Sequence, residues 1–147
     1  MASFDLRFAT EKDIYRLFEI YKEVFRWRID RLFVWADVWQ EKRFLSEWPK
    51  YLTEVVEIKG EIVGFMQTEE DEKGLFLANI ALSSEAQGKK VGAQLIELLK
   101  RRSIDTSQRL HLSVFKINER AQSFYRSHGF TMYLETDDTY KMEWIKK

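Results

Sequence analysis

The sequence predicts an α/β fold: a mixed sheet with helices on its faces. Three observations carry this. Apolar side chains between residues 10 and 48 recur at three- and four-residue spacing, the period of a helix. From residue 52 the texture changes to short β-rich runs separated by tight turns, several of them glycine-bearing. Two further helical stretches then alternate with strands, after the most apolar segment of the chain at residues 75–82.

Each element has its own signal. Residues 4–9 read as a short strand. Thr10, with Asp13 three residues on, opens a helix in the manner of a capping box, and Ile14, Leu17, Phe18, Tyr21, Val24 and Phe25 form its buried face. A second helix over residues 35–48 puts Trp35, Val38, Trp39, Leu45 and Trp48 on its buried face, and Pro49 ends it. Residues 53–58 and 62–68 flank the turn Lys59, Gly60, Glu61 as a hairpin. An acidic turn over 69–74 leads into the apolar strand 75–82. A helix over 88–102, a strand over 110–115, a helix over 119–127 stopped by Gly129, and strands over 131–135 and 141–144 around Asp137 and Asp138 complete the order. No Gly/Ser/Pro-rich linker or repeat divides the 147 residues, so the expectation is one domain over 1–147.

Composition removes several functions. Lys and Arg number 24, as do Asp and Glu, so no net field attracts a polyanion and a nucleic-acid partner is not expected. Zero Cys excludes disulfide scaffolds, thiolate zinc sites and thiol nucleophiles, and fits a reducing, cytoplasmic setting. The first residues carry no basic stretch followed by an apolar one, and no window reaches about 18 apolar residues, so no membrane association is expected either. His111 alternates with Leu110 and Leu112 without metal-ligand spacing, and no metal is expected. The 5 Trp, 6 Tyr and 11 Phe are unevenly placed, thirteen of them within the first 51 residues.

The chemistry-bearing segment follows the apolar strand. Ile80, Ala81 and Leu82 pass through Ser83, Ser84, Glu85 and Ala86 to Gln87, Gly88, Lys89, Lys90, Val91, Gly92 and Ala93. A glycine-bearing turn between strand and helix exposes backbone N–H groups at the positive end of the helix, which suits a pyrophosphate, and Lys89 and Lys90 add charge. The spacing is neither that of a Walker A loop nor of G-x-G-x-x-G. About 25 residues on come Asn118, Ala121, Phe124, Tyr125, Gly129 and Phe130.

Together the two segments resemble the GCN5-related N-acetyltransferase (GNAT) superfamily, with its [Q/R]-x-x-G-x-[G/A] followed by N-x-x-A-x-x-[F/L]-Y-x-x-x-G-F. The pattern covers residues 75–130, and the element order extends it to nearly the whole chain. The resemblance implies the acyl-CoA N-acyltransferase fold: a mixed, mostly antiparallel sheet of about seven strands with about four helices. The sheet would be splayed between the strand from Leu75 to Leu82 and the one from Leu110 to Phe115. It further implies acetyl-CoA as co-substrate. Gln87, Gly88, Lys89, Lys90, Val91, Gly92 and Ala93 would wrap its pyrophosphate, the backbone of Ile80, Ala81 and Leu82 would pair with its pantetheine arm, and Asn118 would contact it. Tyr125 matches the tyrosine placed beside the thioester sulfur. Many members have Gly where Lys90 stands.

Other readings stand beside these. Asn118 is also a preferred helix cap, and Tyr125 is also a core aromatic beside Phe124 and Phe130. Trp35 and Trp39, with Trp27, fall in the segment that covers the acceptor side in relatives; they line an acceptor pocket, form a dimer interface, or are buried on the sheet. Lys116, Arg120 and Arg126 are candidates for the 3′-phosphate of coenzyme A. No general base is assigned; Asp37, Glu69, Glu70 and Glu135 are candidates by position. The function expected is acetyl transfer to a primary amine of a small metabolite or a peptide N-terminus, in a monomer or homodimer. The alternative is a catalytically silent acyl-CoA-binding module.

Overall fold

The computed structural model describes residues 3–32, 36–106 and 109–146; the side chains of residues 27–32 and 37 lie outside that description. The elements are β1 (Asp5–Phe8), α1 (Ile14–Leu32), α2 (Asp37–Glu47), β2 (Leu52–Ile58), β3 (Glu61–Asp71), β4 (Gly74–Leu82), α3 (Val91–Thr106), β5 (Arg109–Phe115), α4 (Glu119–Ser127), β6 (Thr131–Glu135) and β7 (Thr139–Ile145). Short 3-10 turns at Glu11–Asp13 and Trp48–Lys50 precede α1 and follow α2. The strands form one seven-stranded sheet in the order β1-β2-β3-β4-β5-β7-β6, with β4 and β5 parallel and the other registered pairs antiparallel. The expected α/β architecture, with seven strands and four helices, is present among the described residues. No helix among the described residues is long and apolar enough to cross a membrane.

By its contacts the chain falls into two compact units, Met1–Thr68 with Asn79–Val91, and Glu69–Ala78 with Gly92–Lys147. In the first, Ile14, Leu17, Phe18 and Ile20 of α1 and Phe44 of α2 pack with Val55, Phe65 and Ala81 from three strands. Phe44 sits among rings, 5.5 Å from Phe18, 5.4 Å from Tyr21 and 6.0 Å from Phe65. In the second, the ladder between β4 and β5 runs over three residues, Leu75, Phe76 and Leu77 opposite Leu110, His111 and Leu112. His111 is on the sheet side opposite its flanking leucines, as alternation requires, and is buried like them because both sides of β5 are covered there. It lies against the Phe76 ring at 5.1 Å and 3.7 Å from Asp71, and burial and the nearby Arg109 hold its pKa down.

The packing of α2 departs from the sequence expectation. Val38, Trp39 and Leu45 are exposed, and the buried side chains among those described are Gln40 and Phe44. The reason is rotational. A helix turns about 100° per residue, so once Phe44 points into the ring cluster, Gln40 and Trp48 fall within about 40° of it while Val38, Leu45 and Trp39 fall about 100–140° away. Burial on the sheet is thereby excluded for Trp39, which is 57% exposed with the Arg43 guanidinium 5.6 Å from its ring. Trp35 lies outside the described residues, as do the side chains of Trp27 and Asp37.

At the other end of the first unit, Asp13 reaches back to the Thr10 N–H at 2.8 Å, as the capping pattern requires. The same carboxylate takes two bonds from Arg7 of β1, at 2.8 and 2.9 Å, and the Arg7 Nε lies 3.2 Å from Glu57 of β2. These bonds stabilise the ionised form and lower the Asp13 pKa from 3.8 to about 2. A carboxyl whose folded-state pKa is depressed contributes stability above its unfolded value and loses it on acidification. Stability is therefore expected to drop by about 1–2 kcal/mol as pH falls from 3.8 toward 2, after allowance for solvent on the Arg7 side. Asp13→Asn should remove that part of the acid limb in urea titrations run at several pH values.

Candidate functional site

The end of β4 is fixed first. Val63 is an extra residue in β3, since Val56 pairs with Gly64 but Glu57 with Ile62. Its carbonyl accepts the Ser83 N–H at 2.8 Å. Next to this bulge Gly64 meets β4: a Cβ built there would lie 2.6 Å from the Ala81 carbonyl oxygen and 2.6 Å from Leu82 Cδ2. Gly64 carries a sequence signal for this contact, since a lone glycine inside a strand pattern marks close backbone approach.

Beyond Leu82 the chain turns on itself. The Ser83 carbonyl accepts the Ala86 and Gln87 N–H groups at 3.0 and 3.2 Å, and the Ser83 hydroxyl donates to Glu85 at 2.5 Å. That bond lowers the pKa of the exposed Glu85 carboxyl. The Gln87 side chain donates back to the Leu82 carbonyl at 2.8 Å, tying the turn to the strand, and the Ser84 N–H donates to Glu23 of α1 at 3.3 Å.

Residues 87–90 are exposed, and two of them are left-handed, Gly88 at φ +77° and Lys90 at φ +63°. Nothing lies within 4 Å of a Cβ placed on Gly88, so this glycine answers a backbone demand and not a steric one. The left-handed pair also explains why α3 begins at Val91 and not at residue 88, because neither conformation fits a right-handed helix. The N–H groups of the first α3 turn, near Gly92 and Ala93, have no intrahelical acceptors and carry the positive end of the helix dipole. Lys89 and Lys90 flank this anion-compatible start.

In the second unit, α4 begins as expected. Asn118 is buried and its Oδ1 accepts the Ala121 N–H at 3.2 Å, so it caps the helix. Gln122 donates to the Phe115 and Lys116 carbonyls at 3.0 and 2.8 Å, which locks α4 to the end of β5. Tyr125 is 8% exposed, with ring centres 5.4 Å from Phe124 and 5.6 Å from Phe130. Its ring is part of the core of this unit.

The remaining candidates divide. Lys116 pairs with Glu135 at 2.6 Å and lies 5.3 Å from the Tyr140 ring, an engagement that raises its pKa. That pairing also engages Glu135, one of the base candidates. Arg120, Arg126, Glu69 and Glu70 are exposed.

Solved structures share this fold over nearly the whole chain. The PaiA N-acetyltransferase from Thermoplasma acidophilum, solved in complex with coenzyme A, aligns with a TM-score of 0.79 at 19% identity, over 99% of this chain and 100% of that one. The ribosomal-protein-S18-alanine N-acetyltransferase from Escherichia coli aligns at 0.75 and 22% identity, over 97% and 94%. An acetyltransferase from Thermus thermophilus aligns at 0.77 and 18%, over 99% and 98%. No curated relative matches the sequence.

The sequence model of the Acetyltransferase (GNAT) family matches residues 14–130. The chain belongs to that family, and is an enzyme of the GNAT acetyltransferase type.

Two outcomes follow for stability. Lys90→Gly relieves a left-handed side-chain residue, worth about 1–2 kcal/mol, against the entropy a glycine adds to the unfolded chain. The net expectation is a gain of about 0.5–1 kcal/mol in chemical denaturation. Gly64→Ala overpacks the β3–β4 contact and should cost about 1–3 kcal/mol in the same denaturation measurement.

Proposed function

We propose that residues 1–147 form one acetyltransferase domain that moves an acetyl group from acetyl-CoA to a primary amine by direct attack on the thioester. The observation that carries this is the exposed turn at Gln87, Gly88, Lys89 and Lys90, left-handed at two residues and opening onto Val91, the first residue of α3, within a family match that spans it.

In this reading the turn and the first α3 residues, through Gly92 and Ala93, hold the pyrophosphate, and Lys89 and Lys90 contribute charge. The backbone of Ile80, Ala81 and Leu82 pairs with the pantetheine arm as an added strand would. Among the described residues the β4–β5 ladder covers Leu75–Leu77 and Leu110–Leu112, which supports such a role for the later residues of β4. A backbone N–H near Leu82 polarises the thioester carbonyl, as a fixed dipole does for a developing oxyanion. Asn118 contacts the cofactor while capping α4.

Tyr125 assists the departing sulfur. A phenol of pKa about 10 donating to a thiolate of about 8.5 is uphill by about 2 kcal/mol, so a hydrogen bond serves as well as full proton transfer. The setting proposed is the cytoplasm, with no metal involved. The burial of Tyr125 between Phe124 and Phe130 favours a second reading, a silent acyl-CoA-binding module in which this tyrosine is purely structural.

Calorimetric titration with acetyl-CoA tests both readings at once, and no binding overturns both. Thiol release across a panel of amines and peptides then separates enzyme from silent module. For Tyr125→Phe, single-turnover rates are expected to fall by one to a few powers of ten with acetyl-CoA affinity nearly intact; rates equal to wild type would remove Tyr125 from the chemistry.

A further inference from the structure

The outer edge of the second unit is bare. β6 is the last strand of the sheet, and all five of its residues are exposed. Met132, Tyr133 and Leu134 are large apolar side chains among them, and Ile145 at the end of β7 is exposed as well. Met132 is 52% exposed although its registered neighbour on β7, Met142, is only 1% exposed. The packing that seals Met142 therefore stops short of β6. The strand also carries little of what usually blunts a sheet edge. Residues 131–134 contain no charge and no proline, and the register irregularity against β7 falls after Met132, where Tyr133 is an extra residue.

The surroundings define the kind of partner that fits. Two charge pairs that border the strip close within the chain, Arg109 with Glu143 at 2.8 Å and Lys116 with Glu135 at 2.6 Å. The Tyr133 ring lies 4.8 Å from the Arg109 guanidinium and covers it further. An apolar strip bordered by paired charges selects neither a polyanion nor a polycation. The outward N–H and C=O groups of an edge strand select another strand.

Every copy of the chain offers such a strand. A twofold axis normal to the sheet runs two β6 strands antiparallel, and like sides of the sheet meet when the axis passes through a residue. Alternation is regular over residues 131–133: Thr131 and Tyr133 lie on the side of Glu143 and Arg109, and Met132 on the side of Met142. An axis through Met132 thus sets Met132 against its own copy and Thr131 against Tyr133, with no charges opposed. An open apolar edge invites uncontrolled association, whereas a twofold pair closes it because each copy covers the other's strip. We infer that the chain forms a symmetric dimer through β6, the two strands pairing antiparallel about Met132 so that the sheet continues from one copy into the next. Association requires no acetyl-CoA.

The chain has no cysteine, so a single introduced thiol reports the contact without background. Paired residues of an antiparallel ladder have Cα atoms about 4.5–5.5 Å apart, inside the range of about 4.4–6.8 Å that a disulfide spans. Met132→Cys is expected to form a disulfide-linked dimer under mild oxidation at least about tenfold faster than Val38→Cys, an exposed position on α2. Sedimentation velocity of the wild-type protein from about 1 to 100 μM should show a monomer–dimer equilibrium. Met132→Lys sets two ammonium groups face to face and should weaken that equilibrium at least about tenfold, with the far-UV circular dichroism unchanged.

A wild-type protein that stays monomeric throughout that range overturns the inference, as does a Met132→Cys thiol that oxidises no faster than Val38→Cys. A dimer of unchanged affinity in folded Met132→Lys overturns it too, because the copies then meet elsewhere. Where Met132→Lys does not fold, the wild-type sedimentation and the two oxidation rates decide.

Discussion

The close approach of β3 to β4 at Gly64 governs the geometry of the candidate site. There is no room for a side chain between this residue and the backbone of Ala81 and Leu82. The extra residue beside it, Val63, supplies the carbonyl that takes the Ser83 N–H where β4 ends. The strand end, the hydrogen-bonded turn that follows and the left-handed residues before α3 are all referred to this contact. Packing density makes such a contact unforgiving, because backbone cannot swing aside as the end of a long side chain can.

Around this fixed point the first unit sets two kinds of surface on one side of its sheet. The ring cluster about Phe44 and Phe65 is apolar and fully packed, and it fixes the rotation of α2. Beside it buried Thr53 and Gln67, linked to half-buried Asn79, and the Gln40 oxygen, without a hydrogen-bond partner among the described residues, keep polar groups where hydrophobic packing alone would have removed them. Buried polarity carries a cost unless it is satisfied.

Much was legible in the chain because local signals agreed with one another. The helix over 119–127 has the bounds expected from Asn118 before it and Gly129 after it, since caps act through nearest neighbours. The hairpin expected around Lys59, Gly60 and Glu61 is present but tighter, a two-residue turn with Lys59 and Gly60 both left-handed and Glu61 already paired with Ile58. Where signals conflicted, tertiary contacts decided. The tryptophan-rich spacing of α2 suggested one buried face, yet Phe44 engages the ring cluster and turns Trp39 outward. The α3 start moved from 88 to 91 because the backbone at Gly88 and Lys90 turns the other way. His111 is buried on a strand with neighbours on both sides, which alternation along a single strand does not reveal.

The sequence by itself determined the element order, the family pattern from Gln87 to Phe130 and the aromatic weight of the first 51 residues, since each depends on spacing along the chain. Only the tertiary structure decided which face of α2 is buried, that Gly64 sets the end of β4, and that Thr53, Gln67 and Asn79 join across three strands. Those outcomes depend on residues far apart in sequence meeting at van der Waals or hydrogen-bond distance, a relation that no local period encodes.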